Sequence, residues 1–223
     1  MAAQEKNEME RQRNEVKNRP FLNQEQGRYF DRAVAIFDRD QPPHILERLE
    51  KIVSEAGIEE GQTVLDVGAG VGALMPFIRA HSAGLVIACD LSGKMLARLK
   101  QKYPEVVTVQ KDIRDLDLPD GSVDAIFMNA VFSNILDKPG TLANCSRMLR
   151  VGGRLIISHP EGRSFVEWLR KVIPFPLDPL PTHGELRKLP GTLPMGISRF
   201  MDREGLYLAV IIRNAQEMEA LTG

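Results

Sequence analysis

Cysteine is scarce: Cys89 and Cys145 alone occur in 223 residues, inside segments that read as buried strand and helix. No disulfide framework is expected, and reduced thiols of a cytoplasmic protein are the simplest reading. Long apolar runs are missing too. The longest, residues 206–212, falls far short of the roughly 18 residues that a membrane-spanning helix needs. Net charge is nearly absent, at −1 from 29 Lys+Arg and 30 Asp+Glu, so nothing in bulk attracts nucleic acid or anionic lipid. Lys100, Lys102, Arg147, Arg150 and Arg154 are scattered rather than clustered, and no nucleic-acid partner is expected. The first twenty residues mix four Glu with five Lys/Arg and hold no apolar core, which fits neither a secretory signal nor an acid-poor transit peptide. There is no internal repeat. One domain of this length buries about 70% of its unfolded surface without a metal or disulfide staple. What remains is a single-domain protein acting on something small, with its oligomeric state open.

The chain divides into a polar lead (residues 1–27), one domain (28–214) and a short tail (215–223). Residues 1–20 read as a frayed helix or flexible tail. Residues 28–38 place Phe30, Ala33, Val34 and Phe37 on one helical face. A second helix enters at Pro42-Pro43, points Ile45, Leu46, Leu49 and Ile52 inward, and stops at Gly57. From residue 62 strands and helices alternate. Strands are predicted at 63–67, 85–89, 106–109, 123–128 and 154–158. Between them fall a helix carrying Leu74, Phe77 and Ile78, one capped by Ser92, and one at 139–149 closed by Gly152-Gly153. That alternation predicts a parallel sheet with helices on both faces. Half of the fourteen prolines lie between Pro160 and Pro194, interrupting a helix at 161–172 and marking 160–195 as a candidate substrate lid or insert. Residues 196–201 and 206–213, joined by Asp202-Arg203-Glu204-Gly205, read as an antiparallel hairpin.

The segment Val64-Leu65-Asp66-Val67-Gly68-Ala69-Gly70-Val71-Gly72 carries the chemistry. A strand running into spaced glycines lets backbone approach a ligand, and the following helix start offers free N–H groups. With Asp90 about twenty residues on, it satisfies a dinucleotide fingerprint. It is also compatible with a tight turn that binds nothing. Asp66 separates the nucleotide readings. A pyrophosphate at this turn would face its carboxylate at about 5 Å, a repulsion of roughly 3 kcal/mol per charge pair at an effective dielectric near 20. A ligand with an ammonium at one end and a ribose diol at the other suits Asp66 and Asp90 better.

Together with Cys89-Asp90-Leu91-Ser92, Gln110-Lys111-Asp112-Ile113 and Leu149-Arg150-Val151-Gly152-Gly153-Arg154-Leu155, this segment resembles class I S-adenosylmethionine-dependent methyltransferases. The likeness is greatest to the small-molecule, methyltransferase type 11-like group, whose N-terminal helices cover the cofactor. The resemblance spans roughly residues 28–214. It implies an α/β, Rossmann-like seven-stranded sheet, mostly parallel, with an antiparallel C-terminal hairpin, which the predicted hairpin fits. It implies S-adenosyl-L-methionine as cofactor. Gly68 and Gly70, with Asp66 nearby, would take the methionine portion and Asp90 the ribose hydroxyls. Leu91 and Ile113 would cover the adenine, Asp112 would accept from its amino group, and Asn129 would sit by the methionyl amine. Asp112 also reads as a plain turn residue before Arg114-Asp115.

Methyl transfer from a sulfonium is an in-line displacement in which alignment supplies much of the acceleration. No signature of a DNA-directed, cysteine-nucleophile or Mg²⁺-assisted site appears, and no metal is expected. His159, at a predicted strand end before Pro160, is the candidate base; its alternative is to cap that strand end by hydrogen bonding. Tyr29 with Phe30 forms one candidate acceptor wall. Phe132, Ser133 and Asn134, with Phe165, Trp168 and Phe175, form the other, though Phe165 and Trp168 are spaced equally well for core packing. His44, His81 and His183 read as solvated. The expected partner is a small-molecule methyl acceptor. Two other readings remain: an NAD(P)-dependent oxidoreductase on the same turn, opposed by Asp66 and the lack of a Tyr-x-x-x-Lys pair, and a non-catalytic S-adenosylmethionine-binding module.

Overall fold

A computed structural model describes residues 2–215, with side chains from residue 18 onward. Seven strands form one sheet: β1 (Thr63–Val67), β2 (Leu85–Asp90), β3 (Val107–Gln110), β4 (Val123–Asn129), β5 (Leu149–His159), β6 (Met195–Arg203) and β7 (Leu206–Arg213). Their order is β3-β2-β1-β4-β5-β7-β6. Strands β1 to β5 pair in parallel, and β7 enters antiparallel between β5 and β6, as the resemblance implies. β4 lies at the centre, and its run Ile126-Phe127-Met128 is fully buried, because a strand covered on both faces has no use for alternation. Two apolar cores flank the sheet, one containing Leu65, Ile126 and Met128 and the other Val64, Ala125 and Phe127. Successive side chains of each strand thus enter opposite layers.

The helices are α1 (Ala2–Phe37), α2 (Pro43–Ser54), α3 (Met75–Ala80), α4 (Gly93–Lys102), α5 (Lys138–Met148), α6 (Gly162–Val172) and the single turn α7 (His183–Leu186). None among the described residues is long and apolar enough to cross a membrane. Pro43 at its first position starts α2, which buries Ile45, Leu49, Ile52 and Val53. Leu46, expected inward, is exposed, since that stripe leaves it on the flank. Ser92 caps α4, its hydroxyl accepting from Met95 N–H at 3.1 Å. Cys89 and Cys145 are free and buried.

Two elements depart from the sequence reading. The helix expected from residue 28 begins far earlier and passes through Pro20. Its early part lacks an apolar stripe because the visible anchors are polar: Arg19, Asn23 and Gln26 reach loops of the sheet. Only near Phe30, Ala33 and Val34 does α1 gain an apolar seat, on Val71 and Met95. Gly152-Gly153 does not close α5. The pair lies inside β5, which starts at Leu149, and Gly152 adopts φ +78° where the β4–β5 register shifts.

Candidate active site

The sheet order reverses between β1 and β4, and the loops leaving these strands diverge there. A cavity of about 740 Å³ opens at the strand carboxyl ends, roofed by α1 and flanked by α2 and α6. That volume suits a small-molecule site. Asp66, Gly68, Gly70, Asp90, Leu91, Asp112, Ile113, Asn129, His159 and Tyr29 all line it. Five strands and a helix therefore bring these sequence-predicted residues together.

The two glycines are required for different reasons. Gly68 has φ +66°, and a Cβ there would fall 2.5 Å from the Val131 side chain. Gly70 has φ +53°, yet its Cβ would meet nothing within 4 Å, because that direction opens into the cavity. Gly70 N–H donates to Asp90 Oδ2 at 2.9 Å, and Ser92 N–H donates to Asp90 Oδ1 at 2.8 Å. Burial raises the Asp90 pKa while these backbone donors oppose it. Asp66 is buried and has no hydrogen-bond partner among the described residues. Desolvation, helped by the charge of Asp90, pushes its carboxyl up to about 8.

Asp112 serves the fold as well as the cavity. Its Oδ1 accepts from Arg114 N–H at 2.9 Å, capping a 3-10 turn over Ile113–Asp115. Its Oδ2 accepts from Arg19 and from Asn23, each at 2.5 Å. Asn129 Oδ1 accepts from the Ser158 hydroxyl at 3.0 Å. The next residue, Ala130, holds φ +56°, a left-handed conformation that a side chain disfavours, at the cavity wall. Thr141 of α5 also lines the cavity, and its Oγ1 has no partner among the described residues.

His159 combines both of its sequence readings. It lines the cavity, and its Nδ1 accepts from Glu161 N–H at 3.2 Å, capping the strand end. Burial pushes its pKa down to about 4, so the imidazole is neutral at ordinary pH. Among the candidate acceptor residues Tyr29, Phe30, Asn134 and Phe165 line the cavity, and Tyr29 packs edge-on against Phe30 and Phe175 at 5.4 and 5.3 Å. Phe132 is 1% exposed, turned into the core by a 3-10 turn, with Lys138 Nζ 5.4 Å from its ring centre. Trp168 is 53% exposed and stacks on Phe165 rather than facing the cavity.

Arg19, Asn23 and Gln26 line the cavity and were missed by sequence reasoning. Arg19 also reaches both oxygens of Asp115, at 2.9 and 3.1 Å, and buried Gln26 donates to Asn134 O at 3.1 Å. Their spacing of four and three was the available signal: one polar helix face inside a segment read as a lead. No group of three His, Cys, Asp or Glu side chains that could hold a metal occurs among the described residues.

Residues 65–157 match the family described as a methyltransferase domain. The chain is 38% identical over 128 residues to a demethylmenaquinone methyltransferase of Tropheryma whipplei, a match covering 53% of this chain and 52% of that protein. It is 34% identical over 102 residues to a probable S-adenosylmethionine-dependent methyltransferase of Mycobacterium tuberculosis, covering 46% and 37%. The chain spans about half the length, or less, of these relatives. Among solved structures, one similar chain belongs to the complex between the Haloferax volcanii Trm112 methyltransferase activator and the putative methyltransferase. Its TM-score is 0.73 at 21% identity, covering 83% of this chain and 98% of that one. Another is the magnesium protoporphyrin IX methyltransferase of Synechocystis with bound SAH, with TM-score 0.65 at 19% identity, covering 90% and 99%. At these identities the likeness is one of fold.

Proposed function

We propose that this chain, which carries a class I S-adenosylmethionine-dependent methyltransferase domain, binds S-adenosylmethionine at the strand ends and methylates a small-molecule acceptor in the same cavity. The observation that carries this reading is the pairing of a buried, unpartnered Asp66 carboxyl with the open space over Gly70. A dinucleotide pyrophosphate would keep that carboxyl protonated and find no counter-charge; an α-ammonium displaces the proton and meets a carboxylate. The residues present fit the cofactor. When bound, S-adenosylmethionine supplies an electrophilic methyl group on a sulfonium, open to in-line displacement by the acceptor.

The chain's own part is to bind and align. In this reading Asp66 takes the ammonium, and Asn129 stands beside it with its carbonyl oxygen already held by Ser158. The Asp90 carboxylate keeps acceptor capacity beyond its backbone bonds, which suits the ribose hydroxyls. Leu91 and Ile113 form apolar walls for the base. Asp112 Oδ1 carries only the Arg114 bond and is the proposed acceptor for the adenine amino group. Tyr29 and the second half of α1 face the acceptor. His159 enters this proposal as a neutral donor rather than as the base: with Nδ1 accepting from Glu161, the ring proton sits on Nε2.

Calorimetry with S-adenosylhomocysteine and NAD side by side tests the cofactor assignment. Micromolar binding of the first and none of the second is expected; the reverse would overturn it. Transfer of labelled methyl from S-adenosylmethionine to a low-molecular-weight component of an extract tests the reaction. No labelled product despite S-adenosylhomocysteine binding would leave a non-catalytic module.

A further inference from the structure

The half of the cavity away from the strand ends is lined very differently from the cofactor half. From Tyr29 onward α1 contributes Phe30, Ala33, Ile36 and Phe37; α6 contributes Phe165 and Leu169. Together with α2, these helix segments bring no lysine, arginine or carboxylate to the lining among the described residues. Glu161, at the head of α6 beside His159, is the carboxylate nearest this half and already faces Arg48 and His44; beyond it, toward Ile36 and Leu169, a fixed charge would be enclosed without a counter-ion.

The apolar lining continues out to the surface. Ile36 and Phe37 belong to the wall and are also 60% and 45% exposed, which locates them where the cavity meets solvent. On α6, Phe165, Trp168, Leu169 and Val172 follow the i, i+3, i+4, i+7 pattern of a core-facing stripe. Here Phe165 and Leu169 face the cavity, while Trp168 and Val172 are more than half exposed. Phe165 and Trp168 are in ring contact at 5.4 Å, so the stripe is continuous from inside to outside. A helix stripe normally spent on a core thus borders a ligand cavity and its mouth.

Resting on the proposed function, we infer that the acceptor is an uncharged molecule bearing an extended apolar chain, its reacting group inside near His159 and its chain leaving between α1 and α6 over Ile36, Phe37 and Trp168. The occupant of the mouth is that chain. Its affinity grows with each buried methylene, by about three- to fourfold at roughly 0.8 kcal/mol apiece, until the chain clears the mouth.

Trp168 is the only tryptophan in the sequence, so intrinsic fluorescence reports on the mouth directly. A series of 4-alkylphenols with two to eight carbons in the chain, titrated with and without S-adenosylhomocysteine, is the test. Stepwise tightening with chain length and a blue shift of Trp168 emission are expected. In the surface double variant Ile36→Asp, Val172→Asp the chain-length dependence should flatten, while S-adenosylhomocysteine affinity stays within about twofold. Affinity independent of chain length, with emission unmoved, would overturn the inference. So would emission that shifts with protein concentration and ignores the probes, since the mouth would then be covered by a second copy. Failure of S-adenosylhomocysteine to bind, with chain-length dependence intact, would instead overturn the cofactor assignment alone.

Discussion

Asp66 and Asp90 end neighbouring parallel strands, and only one of them is satisfied by the protein: Gly70 and Ser92 donate backbone N–H groups to Asp90, and Asp66 receives none. Burial and the Asp90 charge together push the Asp66 carboxyl from its ordinary 3.8 up to about 8. In the ligand-free chain Asp66 therefore holds a proton near neutral pH. An incoming ammonium replaces that proton as the partner.

The first prediction follows from the sign of that shift. A carboxyl whose folded pKa is raised stabilises the folded chain below about 4, and that contribution is lost as pH rises through about 8. Binding an ammonium at Asp66 should release up to one proton at pH 7, visible as a buffer-dependent binding enthalpy. S-adenosylhomocysteine affinity should rise from pH 6 to pH 8. Asp66→Asn should raise the melting temperature of the ligand-free protein at pH 8 and weaken S-adenosylhomocysteine roughly 10- to 100-fold, as expected for a charge-assisted contact. An unchanged affinity would remove Asp66 from the site.

Gly68 and Gly70 should respond differently to alanine. Gly68→Ala combines a left-handed backbone with a clash against Val131, for a loss of about 2–4 kcal/mol in stability. Adding Val131→Ala should recover the steric part. Gly70→Ala carries the backbone strain alone, about 1–2 kcal/mol, but its methyl enters the cavity. Cofactor affinity should therefore fall more than stability does. Equal melting temperatures for the two single variants would contradict the geometry.

The sheet was legible because its signals are local: Thr63–Val67 reads as a strand from five residues, and Ser92 caps α4 where its position promised. The cofactor half of the site was legible for the same reason, since each residue ends a recognisable strand. The acceptor half was not. Phe132 follows β4 and invites a wall assignment, but a 3-10 turn invisible in the pattern rotates it into the core. Phe165 and Trp168 share a helix stripe, and nothing local says that it borders a cavity and solvent instead of a core. The spacing of Arg19 and Asn23 in the α1 roof marked a polar helix face, but their partner lies some ninety residues away, which no periodicity count reveals.

That roof yields a kinetic prediction. Arg19 bridges Asp112 and Asp115, and Asn23 shares Asp112, so α1 is tied directly to the loop after β3. Asp115 is half exposed, so its share of the pair is screened, and the whole contact contributes about 1 kcal/mol. Arg19→Ala should speed S-adenosylhomocysteine release by about fivefold in a stopped-flow chase and lower the melting temperature of the ligand-free protein by about 2–4 °C at most. High salt should accelerate release from the wild type more than from the variant. Equal release rates would mean that α1 does not retain the cofactor.

His159 gives the opposite pH signature to Asp66. Its folded pKa of about 4 lies below the ordinary 6.5 because burial disfavours the imidazolium. The stability it contributes is complete above about 6.5 and is lost as pH falls toward 4, amounting to about 2 kcal/mol at pH 5. Protonation of Asp66 works the other way over the same interval, so the raw difference in melting temperature between pH 7 and pH 5 mixes the two. His159→Asn isolates the histidine: an asparagine carbonyl can still accept from Glu161 N–H but does not titrate, and the variant should lose less stability on acidification than the wild type. For turnover, a donor that keeps its Nε2 proton gives no acid limb that depends on residue 159. A kcat limb falling through about pH 4 in the wild type, absent from His159→Asn, would return the residue to the role of base.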